Sequence, residues 1–287
     1  MSQLSISNID KYSRSQLELV TWLGARGYLA LWQHCGRCDR QLQLVRSSRR
    51  GDKFELKCWK CKTVASIRTG SVFALFRAPL ANLARLLVLF ASNVPVGRAS
   101  SIAGVDHKTA TALYHFMREL IVTDLDIDPI TFSSSDVVEI DETLVEALRG
   151  EEEQGGRTSG WVFGIISRST GAVQLEVVPN REGQTLLDVM VDHVEAGAVV
   201  IGDSWPAYAA LEPVYTVRTI NKGAGQMSYY DRSLCIVVHT GTIEAVWSEL
   251  RGQLHVSRGF PKHYVPLVLA EFMYRKSGRN ILSLVQI

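Results

Sequence analysis

The 287-residue chain lacks the long hydrophobic runs and the terminal signals of membrane and secreted proteins. Its most apolar window, residues 80–91, is interrupted by Asn82 and Arg85 and is too short to span a bilayer. The first ten residues lack the basic and apolar blocks of a signal peptide. With 46% apolar and 21% charged residues, the composition is that of an ordinary globular protein of one or two domains. We therefore expect an intracellular protein with no membrane partner.

Cysteine is scarce, and its placement argues against disulfide bonds. Four of the five cysteines form two CxxC pairs, Cys35–Cys38 and Cys58–Cys61, separated by 19 residues. An intracellular chain is not expected to hold disulfides, whereas this spacing lets four thiolates face one tetrahedral ion. Residues 41–45 and 53–57 alternate polar and apolar side chains, as two short strands would. We predict a zinc ribbon with one structural Zn²⁺, and we expect Cys235 to be a buried apolar thiol.

The net charge is only +2, but it is unevenly distributed. Residues 1–130 hold 18 Lys and Arg against 10 Asp and Glu, whereas residues 131–287 hold 13 against 19. A basic front favours an anionic partner such as nucleic acid, and an acidic back can hold metal ions. The ribbon is the most basic part of the front, which favours contact with DNA phosphates. Alternatively, the ribbon could serve only to brace a neighbouring domain. Its residues predicted to bind DNA are Arg46, Arg49, Arg50, Lys60 and Lys62.

Three helices are predicted behind the ribbon. The first can open at Pro79, the second ends at Gly104, and Asp106 can cap a third that runs to about residue 122. Two helices joined by a glycine-containing turn are typical of a helix-turn-helix, whose later helix enters the major groove of DNA. A plain three-helix bundle has the same periodicity. The residues expected to face DNA are His107, Lys108 and Thr109.

Two apolar strands of the back half each end in aspartate. The strand 137–141 ends in Asp141, and a buried strand over 198–202 delivers Asp203. Two further strands and a helix are predicted between them, and a helix, a strand and a final helical region follow. This order favours an α/β domain with a ribonuclease-H-like (retroviral-integrase-like) fold. In that fold the first and fourth strands are neighbours, so the two aspartates would meet.

A third carboxylate is predicted on the closing helix. Residues 242–255 have the period of an amphipathic helix, with Glu244 in the first turn and Arg251 on the same face almost two turns later. The helix could equally carry both as plain surface residues. Three carboxylates suit two Mg²⁺ or Mn²⁺ ions about 4 Å apart. Glu139 shares a strand face with Asp141 and has no assigned role, whereas Glu142 points the other way.

Six short motifs carry a family resemblance. They are Glu139–Thr143, Trp161–Gly164, Val178–Arg181, Gly202–Tyr208, Val238–Thr240 and Ile243–Trp247. With the ribbon and the following helices, they resemble DDE transposases of the Merlin type and their bacterial insertion-sequence relatives. The resemblance implies that Asp141, Asp203 and Glu244 form a catalytic, metal-binding triad and that Arg251 is the basic residue after the glutamate. The chain departs from the family pattern after Thr143, at Gly241, and after Asn221-Lys222, where the histidine that usually follows is missing.

The resemblance further implies a DNA transposase that binds terminal inverted repeats and performs metal-dependent strand cleavage and strand transfer. Synapsis of two DNA ends implies a homodimer or a larger assembly, in the nucleus of a eukaryote or in the cytoplasm and nucleoid of a bacterium. A domesticated, non-catalytic DNA-binding regulator and a stand-alone DNA nuclease are alternatives. The expected domains are a helical segment (1–30), the ribbon (31–70), the helix-turn-helix (75–124), a linker (125–135) and the catalytic domain (136–287).

Overall fold

The structure is a computed structural model that describes residues 4–145, 150–151, 157–158, 160–256 and 264–287. The chain divides into two compact units. The first comprises Met1–Met117 with Asn280–Ile287, and the second comprises Arg118–Arg279. The division falls within helix α5 (His107–Ile127). The last eight residues therefore belong to the first unit, whereas the sequence suggested a catalytic domain that runs to residue 287.

The first unit begins with two helices and a three-stranded sheet. Helices α1 (Ile6–Tyr12) and α2 (Gln16–Gly24) are each preceded by a serine whose hydroxyl caps the helix. The antiparallel strands are β1 (Gln43–Arg46), β2 (Phe54–Lys57) and β3 (Val64–Ser66). The first two match the sequence prediction to within two residues. Strand β3 was not predicted, because three residues are too few to show an alternating pattern.

Helices α3 (Leu80–Ala91) and α4 (Val96–Ala103) precede α5 in the first unit, as predicted. Gly104 ends α4 in the left-handed conformation (φ 66°), which glycine adopts without steric cost. Asp106 then caps α5, since its carboxylate accepts hydrogen bonds from the backbone N–H (2.9 Å) and the hydroxyl (2.6 Å) of Thr109. Gly104 therefore ends α4, and Asp106 caps the start of α5 after a short turn.

Helix α5 continues to Ile127, so the first three residues of the expected linker at 125–135 are helical. The acidic composition of this segment suggested a solvated connector. In the structure Arg279 pairs with Asp124 (3.3 Å) and Asp128 (2.9 Å), which neutralises part of that charge. The partner lies about 150 residues away in sequence, so no local pattern could have predicted this extension.

The second unit contains a mixed five-stranded sheet with the order β10-β9-β4-β7-β8. Its strands are β4 (Val137–Leu144), β7 (Trp161–Ser167), β8 (Val173–Val178), β9 (Val199–Asp203) and β10 (Thr216–Ile220). Strands β4, β7 and β8 form an antiparallel meander, and β9 and β10 pair in parallel. Between β4 and β7 lies a short antiparallel pair, β5 (Gly150–Glu151) and β6 (Arg157–Thr158). The mixed sheet with flanking helices fits the predicted ribonuclease-H-like fold.

Three helices accompany this sheet: α6 (Gly183–His193), α7 (Gly241–Val256) and α8 (Val265–Lys276). Helix α7 packs on β4 and β7, and α8 packs on β8. A hairpin of β11 (Tyr229–Asp231) and β12 (Ile236–Val238) lies between β10 and α7, and it was not predicted from the sequence. Cys235 sits in this hairpin and is exposed, so the expectation of a buried thiol was wrong.

Candidate active site and cysteine cluster

The site begins with the parallel pairing of β4 and β9. Val137, Val138 and Glu139 pair with Val199, Val200 and Ile201, respectively. Two residues further along each strand, the same register leads to Asp141 and Asp203. The negative charge of Asp203 contributes to raising the pKa of Asp141, after the larger effect of burial. The sheet therefore brings the two aspartates together at neighbouring strand positions, as the strand order predicted.

Asp141 is oriented by the closing helix. The indole N–H of Trp247 on α7 donates a hydrogen bond to Oδ2 of Asp141 (3.0 Å). The ring fits because Gly164, which pairs with Asp141 on β7, has no side chain. A Cβ on Gly164 would lie 2.5 Å from the Trp247 ring, which is far inside van der Waals contact. The glycine and the tryptophan together fix the distance between α7 and the strand that carries Asp141.

Glu139 explains how the start of α7 is fixed. Its side chain is fully buried, and its Oε2 accepts the backbone N–H groups of Thr242 (2.8 Å) and Ile243 (3.0 Å). Its Oε1 accepts the Thr242 hydroxyl (2.7 Å) and Nε of Arg168 (2.7 Å). A carboxylate at this end of a helix satisfies N–H groups that have no partner within the helix and interacts well with the helix dipole. Glu139 thereby tethers α7 to β4.

Arg168 extends this tether to the segment before α7. Its two terminal nitrogens donate to the carbonyl oxygens of Val237 (2.6 Å) and His239 (2.7 Å). The sequence left Glu139 without a role and did not identify Arg168 at all. A charged residue inside an apolar strand, followed in the chain by an arginine in a turn, was the available signal for a buried ion pair.

Glu244 lies one turn into α7 and is held by two neighbours. Lys222 forms an ion pair with its Oε1, and the hydroxyl of Thr240 donates to the same oxygen (3.3 Å). The hydrogen bond from Lys222 lowers the pKa of Glu244 below its usual value. The charge of Lys222 also acts on Asp141, where it opposes the effect of burial. Lys222 thus contributes a positive charge to this acidic site, a role that its sequence context did not predict.

The predicted triad has suitable chemistry for a divalent cation. Asp141, Asp203 and Glu244 offer only carboxylate oxygens, the donors that Mg²⁺ and Mn²⁺ prefer. Among the residues that the structure describes, only the four cysteines bring three or more ligand atoms within 4.8 Å of one another. Arg251 lies further along α7 and is exposed. It therefore lies outside the buried apolar face of the helix, as the helical period predicted.

Cys35, Cys38, Cys58 and Cys61 form a compact cluster in the first unit. The sulfur atoms are 3.3 Å apart for Cys35 and Cys61, 3.4 Å for Cys38 and Cys58, and 3.7 Å for Cys38 and Cys61. Tetrahedral zinc with bonds of about 2.3 Å requires sulfur separations of about 3.8 Å. The Thr63 hydroxyl helps to lower the pKa of Cys61 to about 6, which favours the metal-binding thiolate. The cluster can therefore hold a zinc ion, as expected for a zinc ribbon.

The basic residues predicted to bind DNA are at the surface. Among those of the ribbon, Arg50 forms a long ion pair with Glu55 (3.6 Å). His107 and Lys108 are exposed in the first turn of α5. The Thr109 hydroxyl is used in the Asp106 cap, so any contact of this residue with DNA stays a prediction. The exposed ribbon residues are Arg46, Arg49, Arg50, Lys60 and Lys62.

Comparison with known proteins gives one family match. The model of the ISXO2-like transposase domain matches residues 134–277, half of the chain and nearly all of the second unit. The search of curated proteins returned no match. No helix in the described ranges is long and apolar enough to cross a membrane.

Proposed function

Because the chain belongs to the ISXO2-like transposase family, we propose that it is a DNA transposase that cleaves transposon ends and joins them to target DNA. The observation that carries this proposal is the parallel pairing of β4 with β9, which brings Asp141 and Asp203 to neighbouring strand positions. Helix α7, which Glu139 tethers to β4, carries Glu244. Three carboxylates on three separate elements fit a site for phosphodiester chemistry.

In this proposal Asp141, Asp203 and Glu244 hold two Mg²⁺ or Mn²⁺ ions. When bound, such ions activate the attacking hydroxyl and stabilise the leaving oxygen of an in-line displacement at phosphorus. Trp247 keeps one oxygen of Asp141 in a fixed position through its indole N–H. A metal ion held by Glu244 would compete with the Lys222 ammonium group for the same carboxylate, so Lys222 would be released to contact solvent or substrate. Arg251 contacts a DNA phosphate from the exposed face of α7.

The first unit supplies DNA recognition in the same proposal. The cysteine cluster holds one structural Zn²⁺, and the exposed arginines and lysines of the ribbon contact phosphates. Helices α4 and α5 act as a helix-turn-helix, with His107 and Lys108 at the start of the reading helix. The ligand is the terminal inverted repeat, and two copies of the protein bring two ends together for cut-and-paste transposition.

The direct test is cleavage of a duplex that carries the terminal inverted repeat, with Mg²⁺ present. We expect Asp141→Asn, Asp203→Asn and Glu244→Gln each to lose at least about 100-fold in rate, because each removes a charge from the reaction site. Asp188→Asn and Glu249→Gln are matched controls, since Asp188 is an exposed aspartate on α6 and Glu249 an exposed glutamate on α7. Cleavage by Asp141→Asn at the wild-type rate would exclude the proposed site.

The same assay separates the two alternative functions. A DNA-binding regulator binds the repeat without Mg²⁺ and cleaves nothing, and Asp203→Asn leaves its function intact. A stand-alone nuclease cleaves the repeat but does not join pre-cut ends to a target duplex. Joining of pre-cut ends by the wild-type protein, and loss of joining in the three triad variants, is the result that a transposase predicts.

A further inference from the structure

An exposed tryptophan lies beside Asp203 and belongs to no part of the site described so far. Trp205 stacks on the guanidinium of Arg181, whose carbon is 4.2 Å from the centre of the indole. The same guanidinium lies 4.7 Å from the centre of the Trp161 ring. Trp161 begins β7, Arg181 follows β8 and Trp205 follows β9, so all three meet at one edge of the sheet. We refer to Trp161, Arg181 and Trp205 as the tryptophan–arginine stack.

Hydrogen bonds hold the stack rigid. Arg181 donates from Nη2 (2.7 Å) and Nε (3.1 Å) to Oε2 of Glu142, whose side chain is fully buried. The indole N–H of Trp205 donates to the carbonyl oxygen of Arg181 (3.2 Å). The backbone N–H of Trp205 donates to Oδ1 of Asp203 (2.9 Å). The indole is thus held to Arg181, and the backbone of the same residue is held to a carboxylate of the proposed triad.

The stack offers an aromatic surface rather than a free positive charge. The guanidinium of Arg181 is neutralised by Glu142 and lies against two rings, so it is poorly placed to bind a phosphate. The Trp205 side chain, in contrast, remains 38% exposed. A rigid, partly exposed indole is a platform for a flat aromatic ligand, and nucleobases stack on such side chains with useful affinity and little sequence preference.

We infer that Trp205 stacks an unpaired nucleobase of the DNA strand whose phosphodiester is held at Asp203. This inference rests on the proposed function, because it takes Asp203 as part of the reaction site. The base must be unpaired, since a base inside a duplex already has both faces covered by its neighbours. Enzymes that act within DNA commonly extrude a nucleotide in this way. The stack then recognises the strand end by its frayed or extruded base and aligns the adjacent phosphate.

A double-mutant cycle between protein and DNA tests the inference. The full-length, zinc-loaded protein is titrated, with Ca²⁺ replacing Mg²⁺ to prevent reaction, against repeat duplexes with one unpaired nucleotide at the reacting end. The base of that nucleotide is either present or replaced by an abasic site. We expect Trp205→Ala to weaken binding about 5- to 150-fold when the base is present and to have little effect on the abasic duplex.

Two variants control for folding and position. Trp205→Phe keeps an aromatic face and should retain most of the affinity for the base. If Trp205 had only a structural role, its substitution would weaken binding equally with and without the base. Tyr230→Ala removes an aromatic residue that is 57% exposed in the β11–β12 hairpin and should behave as wild type in both titrations. In addition, the fluorescence of 2-aminopurine placed as the unpaired base should be quenched by the wild type but not by Trp205→Ala.

Equal losses with and without the base would overturn the inference, as would wild-type binding by Trp205→Ala. The proposed function is judged separately by wild-type cleavage in Mg²⁺. If Trp205→Ala shows the base-dependent loss of binding but the wild type does not cleave, the stacking site is supported and the transposase proposal is refuted. If the wild type cleaves but Trp205→Ala shows no base-dependent loss, the transposase proposal is supported and the stacking site is refuted.

Discussion

Glu139 is the residue on which the position of the closing helix depends. Its carboxylate is fully buried and accepts four hydrogen bonds, three of them from Thr242 and Ile243 at the start of α7. A buried charge is tolerated only when its partners are complete, and removal of one member of such a pair costs several kcal/mol. The same residue therefore contributes to stability and to the placement of Glu244, which is one turn further along the helix.

We predict that Glu139→Gln destabilises the protein by about 1.5–3 kcal/mol, because an amide replaces a charged acceptor and presents an N–H group to other donors. Urea unfolding measures this change. Glu212→Gln is the control, since Glu212 is an exposed glutamate in the turn before β10, and we expect a change below about 0.5 kcal/mol. Equal destabilisation by both substitutions would show that Glu139 has no special structural role.

Local sequence patterns pointed to the three acidic residues of the proposed triad but not to the contacts of their neighbours. Asp141 and Asp203 follow apolar strands, and Glu244 lies in the first turn of an amphipathic helix, so each has a local pattern. No local pattern predicted the contact of Lys222 with Glu244 or that of Trp247 with Asp141, because these contacts span 22 and 106 residues. Such pairs depend on how the sheet and helix pack, which no single segment encodes.

At the scale of elements, Gly164 controls how closely α7 approaches the sheet. The absent side chain leaves room for the Trp247 ring and for Ile243, which would lie 3.2 Å from a Cβ at this position. Sequence patterns predicted the strand and the helix but not their spacing. A glycine inside an apolar strand was the only local sign of a close contact.

We predict opposite effects for two glycine-to-alanine substitutions near α7. Gly164→Ala should destabilise the protein by about 1–3 kcal/mol and slow DNA cleavage, because the new methyl group displaces Trp247. Gly252→Ala lies within α7, where an added Cβ meets nothing within 4 Å, and should stabilise it by up to about 1 kcal/mol. Thermal unfolding and cleavage rates measure both effects. Wild-type behaviour of Gly164→Ala would contradict the proposed spacing role.

The Asp106 cap of α5 gives a pH-dependent contribution to stability. The hydroxyl and the backbone N–H of Thr109 lower the pKa of Asp106 in the folded protein. A group with a lowered folded pKa adds stability above its unfolded pKa of about 3.9, and this contribution is lost as the pH falls through the folded value. The cap should therefore stabilise α5 fully at neutral pH and less in acid.

We predict that Asp106→Ala lowers the melting temperature at pH 7 and that the difference from the wild type shrinks as the pH is lowered from 5 towards 3. Circular dichroism at several pH values measures this change. Asp188→Ala serves as the control, because Asp188 is exposed on α6, away from the helix start. A difference that stays constant over this pH range would show that the charge of Asp106 does not contribute to the cap.

For the whole molecule, charge and structure divide along the chain in a similar way. The basic front contains the cysteine cluster, and the acidic back contains the sheet with the proposed triad. The sequence predicted this order because cysteine spacing, charge and strand periodicity are each local properties. It placed the boundary after α5, whereas the compact units divide within that helix, since the pairing of Arg279 with Asp124 and Asp128 depends on residues far apart in the chain.

We predict one zinc ion per chain in the purified protein, measured by elemental analysis. Cys58→Ser should reduce the zinc content well below one and weaken DNA binding, because the ribbon strands are held together by the metal. Cys235→Ser is the matched control, since this thiol is exposed in the β11–β12 hairpin and lies outside the cluster. Full zinc content in Cys58→Ser would rule out the four-cysteine site.

The position of β4 in the centre of the sheet also determines when the chain becomes competent during synthesis. The antiparallel meander of β4, β7 and β8 can form as soon as these strands leave the ribosome, because its contacts are between consecutive strands. Strand β9 pairs in parallel with β4 only after α6 has been made, and such distant pairings form slowly. Helix α7 emerges later still. A partly synthesised chain can therefore complete the four-cysteine cluster long before Asp141, Asp203 and Glu244 are all in place.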